Sequence, residues 1–565
     1  MNRCVAFAII AGLFLVPGAA YAYCLPASPP YYTGSTIRVR IHDNLDENMR
    51  HADGTVWTRL ELEMAVERVL LRLNSSVGAN TPWVYLDTET LPSTCAWLDT
   101  NCGDGINNPN IADTCALANT IHLVPVNCGA TWWYTTPLGS TAQIIQIERS
   151  LSGIGDMRWE HFPGAAAQIF EFALLHELGH ALGLVHPMGC SWSTVCPSGS
   201  NPCAVMAGDW GQSGAGEYFM QDDSDALRSS HGTRTAPAES LFEAYDLDAG
   251  FVPWSIGNVN AMGFFAASSR PTGAASRITI VGYGRTWVTS PYAYDWDWAS
   301  FGLTSLGAPN LQGGNGPLGI AHDGANRLAT SSVWRFTPNS RKWRRRVGVS
   351  TRAFTGSTWS TALSNPTSGA LDDTVAGGVS SAYEPRTAVL VTAFRASDGR
   401  VLLQDSSGST FGTPFNTTIK SITTPLIACT TASAPTKNCI LVTVDPGRPV
   451  STSTTQRLQW TEFSWNASAN TWVSGSLHTE PWLMWSDMSL AVHSDGSSWE
   501  FVVTYQIPTY TTGGFGYETY VLRKAPGEGN GFALWGKLTE SSQQTSFSVV
   551  GATGGYVDSF HFLHP

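Results

Sequence analysis

His176-Glu177-Leu178-Gly179-His180-Ala181-Leu182-Gly183-Leu184-Val185-His186 puts three imidazoles and a carboxylate into one short stretch. His176 and His180 are four apart, so a helix places them on one face, a turn from each other. Two imidazoles so placed grip one metal ion, and Glu177, the next residue round, reaches a water on it. Gly183 lets the chain leave the helix sharply, because it adopts backbone angles that other residues avoid. His186 then returns as a third ligand. Three histidines leave the fourth position of a zinc ion open, the pattern of a catalytic rather than a closed structural site. The competing reading is a buried histidine-rich helix without metal. It leaves several polar rings to be satisfied in one apolar setting, whereas a metal satisfies them together.

Around this stretch the chain reads as α+β. Thr36–Ile41 alternates as a half-buried strand, and Trp83–Leu86, Ile121–Val126 and Ala142–Glu148 read as further strands. Leucines and valines at helical spacing from Val56 to Leu73 predict a helix. A second helix is expected from Gly164 to Leu184. Its run from Ile169 to Leu175 is apolar nearly all round, so it belongs in a core. A last helix is expected from Asp222 to Ser230. The histidines outside the motif, among them His51, His161 and His231, read as ordinary surface or core residues, and His561 and His564 as a bland C-terminal tail.

The pattern H-E-x-x-H-x-x-G-x-x-H resembles the signature of the metzincin zinc proteases. Cys203-Ala204-Val205-Met206-Ala207-Gly208 places Met206 where those enzymes carry a methionine in a tight turn beneath the metal, and Asp222 to Gly232 resembles the closing helix of matrixin-like domains. The resemblance covers roughly residues 35–232. It implies endopeptidase chemistry, with His176, His180 and His186 holding Zn2+, Glu177 as general base, and Met206 as a floor rather than a ligand. It also implies a cleft strand that takes a protein or peptide substrate as an added strand. Gly129–Tyr134, with Trp132, Trp133 and Tyr134, is the candidate.

Several positions depart from the matrixin pattern. Pro187 follows the third histidine as in serralysins, where matrixins have Ser. Gly208 is not the tyrosine that gives serralysins and astacins an extra ligand. Gly155-Asp156-Met157-Arg158-Trp159-Glu160 is similar to the matrixin G-D-x-H-F-D strand, but Arg158 replaces the histidine, which puts a second zinc there in doubt. No P-R-C-G-x-P-D propeptide motif occurs. Asp99–Asn108 alternates oxygen donors with glycines as a Ca2+ loop does. Gly103 stands at position five, however, and the terminal bidentate Glu is missing; a polar, disulfide-tethered loop is the other reading.

Composition sets the wider frame. Charged residues are 13% of the 565, about half the usual share, while there are 55 Gly and 22 Trp, the balance of a β-rich, turn-rich extracellular chain. The net charge of -12 argues against nucleic acid as a partner. The one basic cluster, Arg341 to Arg346, reads as a solvated hairpin face. Arg3, the apolar run Val5 to Val16 and Ala20-Tyr21-Ala22 form a secretory signal over residues 1–22, cleaved after Ala22. No segment is expected to span a membrane. A secreted chain with ten cysteines beyond the signal favours disulfides, including one at Cys24 rather than a lipid anchor or a zinc cap. Cys429–Cys439 is the expected local pair, because no other cysteine lies near either; the connectivity of the other eight is not readable from spacing.

The domain plan is therefore a signal peptide (1–22), a zinc-protease domain (23–232), a linker (233–250) and an all-β domain (251–565). In the last, short apolar runs alternate with turn residues. Gly-Ser-Ser/Thr-aromatic turns at Thr355–Trp359, Ser407–Phe411 and Asp495–Trp499 suggest a repeat in the mid-forties to low fifties, the spacing of propeller blades. A β-propeller of about six blades is expected, with two β-sandwiches as the alternative. The functional alternatives are an adhesin or glycan-binding protein with a vestigial protease domain, and a sialidase-like glycosidase. The second needs an arginine cluster and a Tyr/Glu pair in one pocket, which the sequence does not assemble.

Overall fold

The structure is a computed structural model; it describes segments 36–87, 117–126, 134–148, 158–185, 221–232 and most of 248–563, with short interruptions, together with Tyr32 and Met206. The expected signal segment, the expected calcium loop, the core of the expected linker and every cysteine but Cys429 and Cys439 lie outside these residues.

The N-terminal half is built on a five-stranded sheet. Its strands are β1 (Thr36–Ile41), β2 (Trp83–Leu86), β3 (Thr120–Val126), β4 (Tyr134–Leu138) and β5 (Ala142–Glu148), in the order β2-β1-β3-β5-β4. The pairs β1–β2, β1–β3 and β3–β5 are parallel; only β4, at one edge, runs antiparallel to its neighbour. Parallel strands must be covered, and the buried Ile37, Val39, Ile41, Ile121, Leu123, Ile145 and Ile147 share one core with helices α1 (Arg59–Ser76) and α2 (Phe170–Ala181). Thr58 caps α1 by accepting the Glu61 backbone N–H at 3.2 Å. Asn74, near the other end, exchanges two hydrogen bonds with the backbone of Val84 and so ties α1 to β2.

The helix expected from Gly164 begins only at Phe170. Gln168–Ile169 (β7) instead pairs in parallel with Trp159–Glu160 (β6). A run that is apolar nearly all round carries too little periodicity to mark where strand becomes helix. Helix α3 (Gln221–His231) follows Met206 and ends at Gly232, whose φ of 82° is the left-handed value that stops a helix.

From Asp248 onward every described element is a strand. Strand Asp248–Ile256 starts inside the expected linker, which therefore ends by residue 247. Six antiparallel sheets follow in order along the chain. The strands Asp248–Ile256, Gly319–His322, Val375–Tyr383, Leu426–Cys429, Met488–Ser494 and Ser548–Ala552 each pack on the next, and the last packs back on the first. This closed succession is the propeller-like arrangement expected rather than two sandwiches. The Gly-Ser turns do not occupy equivalent places in it. Ser407–Phe411 joins the third strand of its sheet to a short fold-back, and Asp495–Trp499 joins a first strand to a second. Thr355–Trp359 lies outside the described residues. The supposed tail is also a strand: Ser559–Leu563, with His561 opposite Val550. Cys429 and Cys439 face each other on adjacent strands and form the expected disulfide.

Candidate metal centre

Helix α2 carries the opening motif into the core. All its residues except His180 are buried, and His180 is half-buried. His176 and His180 sit one turn apart, their rings at 4.8 Å and nearly perpendicular. One ligand atom from each of His176, Glu177 and His180 lies within 4.8 Å of the other two. Among the described residues this is the only such cluster of three.

The exit of α2 explains how the motif works as a unit. Gly183, with φ of 96°, donates to the His180 carbonyl, and Leu184 donates to the Gly179 carbonyl, both at 2.9 Å. These paired bonds form a Schellman turn, which uses up the last helical carbonyls and swings the chain back across the helix end. The turn also places the Leu184 carbonyl 2.8 Å from His180 Nδ1. A carbonyl only accepts, so Nδ1 carries the hydrogen and Nε2 keeps its lone pair for a metal. That fixed tautomer, the buried His176 and the adjacent carboxylate fit a zinc ion. His186 and Pro187 lie just past the described residues, as do Gly208, Trp132 and Trp133. Tyr134 opens the edge strand β4.

Met206 is buried in the same core as α2. Its N–H donates to Asp223 Oδ1 at 3.3 Å, and at the far end of α3 His231 Nε2 donates to the Leu182 carbonyl at 2.9 Å. Helix α3 thus braces both the methionine segment and the end of α2. His231, read as ordinary, has a structural task that no spacing in the sequence marks.

The larger departure from expectation lies at the other end of α2. His51 and His161 are not isolated histidines but members of a buried charged network. His161 Nδ1 lies 2.7 Å from Glu171 Oε1 and its Nε2 lies 3.2 Å from Glu61 Oε1. His51 contacts Glu61 and Glu160, stacks on Trp57, and Arg68 donates to Glu171 at 2.9 Å. Burial opposes charge on His161, but Glu171 and Glu61 outweigh it and raise its pKa to about 9. Burial likewise opposes ionisation of Glu61, yet its bonds to His161 and His51 bring it down to about 2. Glu171 is held below the usual carboxylate range, against its burial, by His161 and then Arg68. The network also recruits Glu160, the last residue of the stretch compared with a structural metal strand, and His161 just after it.

No protein-family model and no curated protein sequence matches the chain. Among solved structures it is similar to the six-bladed β-propeller lectin of Aleuria aurantia (10% identity, 54% of this chain, 97% of that one, TM-score 0.27). It is also similar to AofleA from Arthrobotrys oligospora (11%, 54% and 74%, TM-score 0.29) and to a GH32 β-fructofuranosidase of Bombyx mori (10%, 51% and 62%, TM-score 0.30). Superpositions this loose carry no argument about what the chain binds.

Proposed function

We propose that the chain is a secreted zinc-dependent endopeptidase of matrixin-like metzincin type, its catalytic half fused to a propeller-like domain. The observation that carries this reading is that His176, Glu177 and His180 on a buried helix each bring a ligand atom to within 4.8 Å of the other two. The turn at Gly183 sends the chain on towards His186. His176, His180 and His186 would hold the ion. Zinc supplies Lewis acidity, polarising a carbonyl and making water ionisable near neutral pH. Glu177 takes the proton of the attacking water and passes it to the departing amine. The antiparallel edge strand β4 offers its backbone to an extended peptide, the geometry of strand addition. Met206 supports the floor, held by Asp223.

The test is Glu177→Ala in the full chain. Wild type is expected to contain about one zinc per chain and to cleave a quenched peptide, with chelator abolishing cleavage. The variant is expected to keep its zinc and lose cleavage by at least about a hundredfold. Robust cleavage by the variant removes Glu177 from the mechanism.

A second reading, glycan binding by the β domain, has its own observation. Trp535 is 52% exposed, with Arg523 over its ring at 5.4 Å; Arg523 in turn grips Glu500 through two hydrogen bonds. An exposed aromatic face beside a guanidinium–carboxylate pair suits a sugar ring, apolar on one face and rich in hydroxyls at its edge. Trp535→Ala is expected to abolish binding to a glycan array while leaving peptide cleavage unchanged. If wild type binds no glycan, this reading fails.

A further inference from the structure

We propose that Gln456, contributed by the β domain, is a positioning residue for the active-site helix, so that the catalytic half is completed by a side chain far beyond its motif in sequence. The catalytic consequence rests on the peptidase reading; the structural one does not. Gln456 stands just before strand Arg457–Asn466 and is fully buried. Its φ of 71° is left-handed, a conformation unfavourable for a residue with a long side chain. Such a backbone persists only where its surroundings over-determine it. Its own carbonyl accepts the Met484 N–H at 3.0 Å, which holds the turn in place. Its carboxamide oxygen accepts from Arg68 Nη1 at 2.8 Å, and its nitrogen lies 3.4 Å from His161 Nε2.

Arg68 thus links two partners. One guanidinium nitrogen donates to Gln456, the other to Glu171. Glu171 lies in the first turn of α2, five residues before His176 and so about 7.5 Å along the axis. A rigid helix carries any rotation of its first turn to the imidazoles. Charge explains why the residue is a glutamine. Arg68 and His161 are balanced by Glu61 and Glu171, so a neutral acceptor completes the network without upsetting it. Glycine would suit the backbone better but could not reach Arg68.

That conflict supplies the test. Gln456→Gly relaxes the backbone and deletes the carboxamide; Gln456→Glu keeps the reach and an acceptor facing two cations. In the full-length protein, hydrogen exchange of the α2 amides is compared with that of strand Arg457–Asn466. Gln456→Gly is expected to raise exchange in α2 about tenfold and leave the strand unchanged; Gln456→Glu restores the reach but adds a charge to a balanced buried network, so it is expected to restore protection only as falling pH protonates that carboxyl. With a quenched peptide, Gln456→Gly is expected to lower kcat at least fivefold with KM little changed. Unaltered α2 exchange in Gln456→Gly overturns the proposal. If Gln456→Gly fails to fold, Arg68→Lys, which cannot reach both partners, is expected to give the same α2 signature, and its absence overturns the proposal equally. A wild-type protein that cleaves no peptide sinks the peptidase reading alone, because the exchange measurement still decides the role of Gln456.

Discussion

At the scale of the residue, the charges buried among His51, Glu61, Arg68, His161 and Glu171 have a measurable consequence. His161 titrates near 9 when folded against an ordinary 6.5, so its contribution to stability is complete below 6.5 and lost as pH rises through 9. Glu61 and Glu171 are depressed, so theirs is complete above about 4.5 and lost as pH falls, for Glu61 through about 2. Thermal melts are expected to show a plateau from about pH 4.5 to 6.5 with a fall on either side. His161→Gln should flatten the alkaline fall, and an unchanged alkaline limb would show that the imidazolium contributes nothing. These residues, with Gln456, are brought together over separations of up to 388 residues, and each alone resembles an ordinary polar residue. His176, Glu177 and His180 are legible by contrast, because residue type and a helical interval suffice.

Among the elements, alternation and apolar runs located four strands of the first half: β1, β2 and β5 are as expected and β3 gains one residue, whereas β4 begins only at Tyr134, the last residue of the candidate cleft strand, and the two-residue β6 and β7 carry no pattern to read. The start of α2 was misplaced because Gly164–Leu175 offers hydrophobicity without period. The end of α2 was legible, since Gly183 had a stated reason to be glycine. Replacing it by Ala forces an L side chain into the left-handed region, expected to cost about 1–2 kcal/mol. The strained turn also holds the Leu184 carbonyl against His180, so Gly183→Ala is expected to weaken zinc retention in a chelator competition more than Gly232→Ala. That second glycine ends α3 with a similar φ but touches no ligand. Equal retention in the two variants would separate the turn from the metal site. In the β domain, Cys429–Cys439 closes a ten-residue separation between paired strands. Its replacement by two serines is expected to cost about 2–3 kcal/mol in denaturant melts.

For the whole molecule, composition and turn spacing pointed to a β domain of about six units, but not to how the units meet. The two Gly-Ser turns among the described residues are hairpin features in different places rather than a blade signature. What the sequence could not display is the closure. Strand Ser548–Ala552 lies against both Met488–Ser494 and Asp248–Ile256. That contact joins segments roughly 300 residues apart, and contacts of such separation form slowly because the loop entropy is lost before anything is gained. Until the ring closes, Gln456 has no fixed place from which to meet Arg68. The feature is therefore also a clock. After dilution from denaturant, the helical signal of the first half should recover ahead of peptide cleavage, and cleavage should follow the slower assembly of the β domain. On the peptidase reading, hydrolysis would then come last, delayed by the chain's own folding.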